Sequence, residues 1–390
     1  MLIEFHILQN HAPSNLNRDE TGTPKECVFG GAKRSRISSQ CLKRAIRRSD
    51  VFRTALDGNL ATRTRRLPEL VKQKLISAGF SEEIASEAGK KVSGFGNKDG
   101  KEREAAFDTA QTIFLTENDI RAVTDVLTNA ITGKSLTDVK ALKALDLQGE
   151  AQDRGYRQIS VDMALFGRMV TSSAFRNVDA CAQVAHAIST HKVEHEFDFF
   201  TAVDDLQSIA DGDDAGADMM GDVEYNSACY YKYISVDADG LVANLTGASA
   251  GRKDIPEDEV AEAKELAAVT IAALLESAVM VSPSGKQNTF AAHQLPSLVL
   301  VECRPQKTPV SYANAFVDPA SPSAMGGDLI QASLGKLAVH AEKLTSGFCL
   351  KSDFRFALSP EYTFSMAGVT AVSDLGKLRE LVKQAVQGHE

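Results

Sequence analysis

The sequence predicts an α+β fold with a large helical insertion. Three observations predict it. Residues 2–9, 225–236 and 298–301 are short apolar or alternating runs of strand length. Helical patterning dominates residues 67–150 and returns near 256–280. Strands and helices interleave along the chain with no internal repeat, which favours one mixed core over an all-helical or all-β architecture. At 390 residues and 43% hydrophobic content the chain can bury a sizeable core, divided into two or three domains.

Met1 to Leu8 reads as a first strand, without the basic start and small-residue cleavage site of a signal peptide. Residues 10–36 carry Pro, Asn, Gly and Arg without periodicity and are expected to form a long loop. Ser38 or Ser39 is a candidate N-cap for a short helix ending near Ser49. Leu42, Ala45 and Ile46 fall on one face of that helix, and Lys43, Arg44, Arg47 and Arg48 on the other. Helices are expected from Leu67, from Ala105 to Leu115, and over 178–190 with Val178, Ala182, Ala185 and Ile188 as the buried stripe. Ser93 to Gly100 is a loop. Residues 208–222 form an acidic excursion, and Tyr225 to Val236 a Tyr-rich strand. The longest helix runs from about Pro256 to Met280, its Pro followed by Glu257, Asp258 and Glu259. Leu298 to Val301 is a buried strand, Asp318 to Asp328 a loop, and a last helix follows Val372.

Composition excludes several classes. No apolar run approaches the ~20 residues needed to cross a bilayer. The six cysteines are scattered and form no CxxC pair, so a zinc ribbon is not expected and reduced, cytoplasmic thiols are. The net charge of −9 hides an asymmetry: Lys25 to Arg66 holds twelve basic and three acidic residues. A concentrated basic segment on an acidic body reads as a local anion site.

That segment contains the strongest motif, Phe29-Gly30-Gly31-Ala32-Lys33-Arg34-Ser35-Arg36-Ile37-Ser38-Ser39-Gln40, which runs into the basic helix. The glycines permit close backbone approach or positive φ. A helix N-terminus offers free N–H groups and a positive dipole end. Ser38, Ser39 and Gln40 add donors, and Lys43 and Arg47 continue along one face. A row of phosphates would use all of these groups.

Other motifs point elsewhere. Phe197, Phe199 and Phe200 could stack bases, but no RNA-recognition consensus accompanies them, and core packing is expected for at least two. His191-Lys192-Val193-Glu194-His195 matches H-x-x-E-H, which binds zinc when helical, with Glu196, Asp198 or Asp204 as a further ligand. On a strand, His191 and Glu194 would face opposite ways. Thr132-Gly133-Lys134-Ser135 lacks the first glycine of a P-loop, since position 128 is Thr. No Ser stands in G-x-S-x-G. Asp204 and Asp205 are paired carboxylates in the acidic excursion.

His11-Ala12-Pro13-Ser14-Asn15-Leu16-Asn17-Arg18-Asp19, Phe29-Gly30-Gly31 and Arg36 through Ala45 closely resemble the CasC family, the backbone subunit of the type I-E CRISPR surveillance complex, Cascade. Gly167-Arg168-Met169, His186 to His191, Phe200 to Leu206 and Ala313-Asn314-Ala315-Phe316 extend the resemblance over most of the chain. It implies a modified RRM-like (ferredoxin-like) palm at 1–56, 185–195 and 227–390. It also implies a helical fingers insertion at 57–184 and a protruding thumb loop at 196–226.

By the same resemblance, Arg18, Lys25, Ser38, Gln40, Lys43, Arg44 and Arg47 would hold the backbone of a CRISPR RNA (crRNA). Arg168 would also bind the RNA, Met169 would help wedge the guide bases, and Phe200 and Thr201 would sit at the base of the thumb. The implied partners are crRNA, target DNA through the guide, neighbouring copies of the chain and other Cascade subunits. Neither a cofactor nor an enzymatic activity is implied. The acidic thumb would repel phosphate. The rival reading is a metal-dependent RNA nuclease using Asp204/Asp205 or His191/His195.

Overall fold

A computed structural model describes residues 1–103, 107–154, 157–202 and 219–388. The chain divides into two compact units. One comprises Met1–Phe52, Gln183–Val236 and Ile271–Glu390; the other comprises Arg53–Ala182 and Asp237–Thr270. The α+β class expected from the pattern of runs is the class observed. Among the described residues no helix is long and apolar enough to cross a membrane.

A ten-stranded sheet organises the first unit. From one edge eight strands follow in the order Thr370–Ala371, Phe354–Leu358, Leu298–Arg304, Leu2–Ser14, Met219–Asp237, Ala187–Ser189, Ala32–Ile37 and Glu26–Phe29, and the other two, Ala182–Val184 and Glu196–Ala202, each pair with Met219–Asp237. Leu2–Ser14 runs antiparallel to Leu298–Arg304, with Leu2 opposite Arg304 and Leu8 opposite Leu298. Both strands are buried on both faces over the paired stretch. Phe354–Leu358 and Thr370–Ala371 pair in parallel. Leu8, Leu298 and Leu300 pack with Tyr231, Tyr233, Tyr312 and Phe316, and helix Leu329–Gly347 adds Leu334, Leu337 and Ala341.

Helices Leu67–Ser77, Glu82–Val92 and Glu117–Ile131 give the second unit its own core, including Val71, Leu75, Val92, Val123 and Leu127. A two-stranded pair, Thr62–Thr64 with Ile113–Leu115, stands beside them. Helix Ala238–Thr246 belongs here too, although 227–390 was expected wholly in the palm. Its Asn244 donates to the carbonyls of Ala164 and Asp179 at 3.2 and 2.9 Å, which fastens the segment to this unit.

Three local expectations are corrected. Residues 10–36 are not one loop: the first strand continues to Ser14, and Glu26–Phe29 pairs with Ala32–Ile37 as a hairpin. Residues 178–190 are not a helix. Ala182–Val184 and Ala187–Ser189 are buried at every second residue, and Ile188 has Arg36 on one side and Tyr231 on the other, so ladder pairing overrides a weak helical stripe. Ile113–Leu115 is a strand, so no helix runs to Leu115. The last helix, Leu375–Gln387, starts at Asp374, which accepts from the Lys377 N–H at 2.8 Å.

Four neighbouring strands bury charge on one face of the sheet. Glu4 and Glu302 lie directly opposite each other and are fully buried. The Arg304 guanidinium spans both, with Nε 2.6 Å from Glu4 and Nη2 2.5 Å from Glu302. Arg355 reaches the other Glu302 oxygen at 2.6 Å. Tyr233 donates to Glu4 at 2.5 Å and Tyr312 to Glu302 at 2.7 Å. Burial alone would raise the Glu302 carboxyl, but His6, Arg304 and Tyr312 together hold it well below the usual range.

Two predictions follow from this unit. Glu302→Gln keeps the shape but leaves the Arg355 guanidinium without its carboxylate and Arg304 with Glu4 alone, and should cost about 3–5 kcal/mol in chemical denaturation. Burial, and then Lys232, push His11 from 6.5 down to about 4. The unfolded chain therefore binds the extra proton between those pH values, and His11 contributes stability above pH 6.5 that is lost as pH falls towards 4. His11→Gln should flatten that acid limb by on the order of 3 kcal/mol; an unchanged limb would assign it to other groups.

Candidate nucleic-acid interface

The basic helix spans Ser39–Arg48. Ser38 caps it, its hydroxyl accepting from the Cys41 N–H at 3.3 Å. Leu42 and Ile46 are buried, as the pattern predicts, and no acidic residue stands in the first turn. The positive end of the helix dipole is therefore not neutralised by its own side chains. Gln40 and Arg44 are exposed, whereas Lys43 and Arg47 are half-buried. Burial holds the Lys43 amine below the ordinary lysine value, and no carboxylate contributes.

The helix start is tied to the chain that carries Arg18 and Lys25. Asn17 accepts the Ser38 N–H on its side-chain oxygen at 2.8 Å, and its carbonyl accepts the Lys25 N–H at 2.8 Å. The Lys25 carbonyl in turn accepts the Arg36 N–H at 2.8 Å. Arg18 is exposed and bridges Pro24 across a turn. Asp19 closes that turn, its carboxylate accepting from the hydroxyls of Thr21 and Thr23 at 2.7 and 2.8 Å. These two hydroxyls lower the Asp19 carboxyl to about 2. Arg18, Lys25, Ser38, Gln40, Lys43, Arg44 and Arg47 thus lie along one bonded stretch of chain.

Asn15, Asn17 and Asp19 are the positions whose structural roles sequence reasoning missed. The signal was available: Asp followed by Thr at two and four residues is an Asx-type turn. The glycine pair has a structural task. Gly30 and Gly31 have φ of 60° and 73° and close the hairpin, and a Cβ on Gly30 would sit 1.9 Å from the Val317 carbonyl oxygen. Arg34 is likewise internal. It is fully buried and donates to the carbonyls of Ser189, Thr190 and Phe316 at 3.2, 2.9 and 2.6 Å.

Phe200 and Thr201 lie on a ribbon in which Glu196–Ala202 pairs with the start of Met219–Asp237, Phe200 opposite Gly221 and Thr201 opposite Met220. A Cβ on Gly221 would come within 2.8 Å of the Phe200 ring, so the absent side chain makes room for it. Core packing of these aromatics is corrected: Phe197, Phe199 and Phe200 are 63%, 66% and 37% exposed. A two-stranded ribbon has no layer to bury them in. Asp204, Asp205 and the acidic stretch at 211–218 lie outside the described residues.

In the other unit, Gly167 ends the short helix Val161–Phe166 at φ 78°. Arg168 is only 6% exposed. It pairs with Asp119 at 2.6 Å and donates to the carbonyls of Phe114 and Arg176 at 3.1 and 2.9 Å. Its guanidinium is spent inside the fold, whereas the neighbouring Met169 is 92% exposed.

His191-x-x-Glu194-His195 is not helical, so it lacks the spacing of a zinc helix. His191 donates to the Lys192 carbonyl at 2.8 Å and accepts the Cys229 N–H at 3.4 Å. His195 stands between Glu26 and Glu224. Among the described residues, the one group with metal-gathering geometry is Glu4, His6 and Glu302, whose carboxylates are already paired with Arg304 and Arg355.

The comparisons with known proteins agree with this architecture. No curated protein matches the chain. It is similar to a solved chain titled "CRISPR RNA-guided surveillance complex, pre-nicking", with 26% identity and TM-score 0.76, covering 99% of this chain and 100% of that one. A second, titled "CRISPR RNA-guided surveillance complex", has 22% identity and TM-score 0.68 over 99% and 100%, and shares the fold. The resemblance to CasC drawn from the motifs is borne out at this level, RRM-like palm included. A family model described as CT1975-like protein matches residues 3–384, and the chain belongs to that family.

Proposed function

We propose that this chain is the crRNA-binding backbone subunit of a type I-E Cascade, several copies of which line one guide and hold it for pairing with target DNA. The observation that carries this reading is the basic helix Ser39–Arg48, whose start is bonded through Asn17 to the stretch bearing Arg18 and Lys25. Cations spaced along a bonded stretch suit a run of phosphates and read no base, which a subunit accepting any guide sequence requires. The likeness to a surveillance-complex chain over nearly its whole length supports the same reading.

In this account Arg18, Lys25, Gln40, Lys43, Arg44 and Arg47 touch the guide backbone, and Ser38 fixes the helix start. Arg168 braces Met169, whose exposed side chain wedges between guide bases. Phe200 and Thr201, on the ribbon, meet the guide where a neighbouring copy adjoins. The chain binds RNA without cutting it, needs no cofactor, and works in the cytoplasm beside other Cascade subunits.

Lys43→Glu with Arg47→Glu should weaken binding to single-stranded RNA by at least about 100-fold, two charge-assisted contacts at roughly 1.5 kcal/mol each. The salt dependence of log affinity should fall by about 1.4, two phosphates on a single strand. Circular dichroism should be unchanged, since both side chains lie off the buried face. Unchanged affinity in a folded double variant would remove these residues from the interface.

A further inference from the structure

The loop between helix Glu257–Met280 and strand Leu298–Arg304 carries a cation with no task so far. Its middle reads Ser284-Gly285-Lys286-Gln287-Asn288-Thr289. Acidic residues make up 52 of the 390 in the chain, yet none falls within 277–301. Lys286 is half-buried, and Ser284, Asn288 and Thr289 are exposed. Among the described residues Lys286 pairs with no carboxylate.

This loop is seated beside residues already assigned to RNA. A Cβ on Gly285 would lie 2.4 Å from the Leu16 carbonyl oxygen and 2.6 Å from that of Asn15. Only glycine lets the loop lie so close to the stretch that leads to Arg18. Gln287 donates to the carbonyls of Pro283 and Ala292 at 3.0 and 3.3 Å, and the Ala292 carbonyl also lies 3.3 Å from His11 Nδ1. At its far end the Phe290 ring packs on Tyr225, with 5.4 Å between centroids. Tyr225 stands opposite Glu196 at the root of the ribbon that bears Phe200 and Thr201. The loop therefore touches both the approach to Arg18 and the root of the ribbon. Its backbone is held in an uncommon conformation. Lys286 and Ala291, at φ 50° and 48°, are two of four non-glycine residues with positive φ among those described. A residue with a Cβ stays there only when surrounding contacts hold it.

We infer that Lys286 is a further guide-backbone contact: its amine takes a phosphate where the guide passes from the Arg18 stretch to the ribbon, with Ser284, Asn288 and Thr289 as neutral donors beside it. The inference rests on the guide-binding reading and adds a residue to it. No acid in the loop opposes a phosphate. Hydroxyl and amide donors suit phosphate oxygens and sugars and carry no sequence information there. The loop's one aromatic ring, Phe290, is packed on Tyr225, so base stacking is not its task.

The test uses the full chain and a fluorescein-labelled oligouridylate, titrated between about 50 and 200 mM salt. Lys286→Asn removes the charge and keeps a residue that tolerates positive φ. It should weaken binding about tenfold, the loss of one charge-assisted contact. It should also lower the salt dependence of log affinity by about 0.7, one phosphate on a single strand. Lys286→Arg should restore both, and Lys377→Asn, an equal charge change on the last helix, should alter neither. Wild-type affinity in Lys286→Asn, with the Lys43→Glu and Arg47→Glu double variant still weakened, overturns the inference and leaves the guide-binding reading standing. Weaker binding with the wild-type salt dependence assigns Lys286 a structural part and overturns the inference too. If the wild type binds no RNA, the guide-binding reading falls and this inference with it.

Discussion

Two carboxylates facing each other across buried strands must be neutralised on the spot, and the first unit is arranged around that requirement. Glu4 and Glu302 would repel each other strongly in a low-dielectric core. Arg304 spans both and Arg355 completes the balance, so four adjacent strands share one electrostatic solution. Such a network is weak evidence for added stability, but it penalises a slipped register severely. A one-residue shift would turn Glu4 or Glu302 to the opposite face and leave a guanidinium unpaired. Leu2–Ser14 is thereby held in place between Leu298–Arg304 and Met219–Asp237.

Holding that strand determines where the chain goes next. Its exit delivers Asn15 to the Glu224 carbonyl and Asn17 to Ser38. Asn17 has both a side-chain acceptor and a backbone acceptor committed, one to the helix start and one to Lys25. The surface that results is not simply a basic helix. It is a helix with an unneutralised N-terminus, set by hydrogen bonds against a turn whose own acid, Asp19, is occupied by two threonines. Repulsion of phosphate by that carboxylate is reduced because its lone pairs are already engaged.

Much of this was legible in the residues. The Ser38 cap, the Leu42/Ile46 face, the long helix ending at Met280 and the buried strand at Leu298 follow from period and capping chemistry, which act locally. The hairpin at 26–37 was not legible, because its strands carry Lys and Arg in place of an apolar alternation, and its turn is set by contact with Val317. Residues 178–190 misled for a related reason: small residues fit either period, and partners far away in sequence decided. At the interface, charge counting could not tell a cation on the surface from one used inside. Arg34 and Arg168 look like Lys43 in a list of basic residues, yet both are spent on backbone carbonyls or a buried acid.

The most direct measurement of the central claim is to purify the chain from its host with its native neighbours, extract the bound nucleic acid and sequence it. The account predicts one RNA of uniform length carrying CRISPR repeat sequence, with several copies of the chain on each RNA. Absence of RNA, or heterogeneous fragments trimmed in a metal-dependent way, would contradict it.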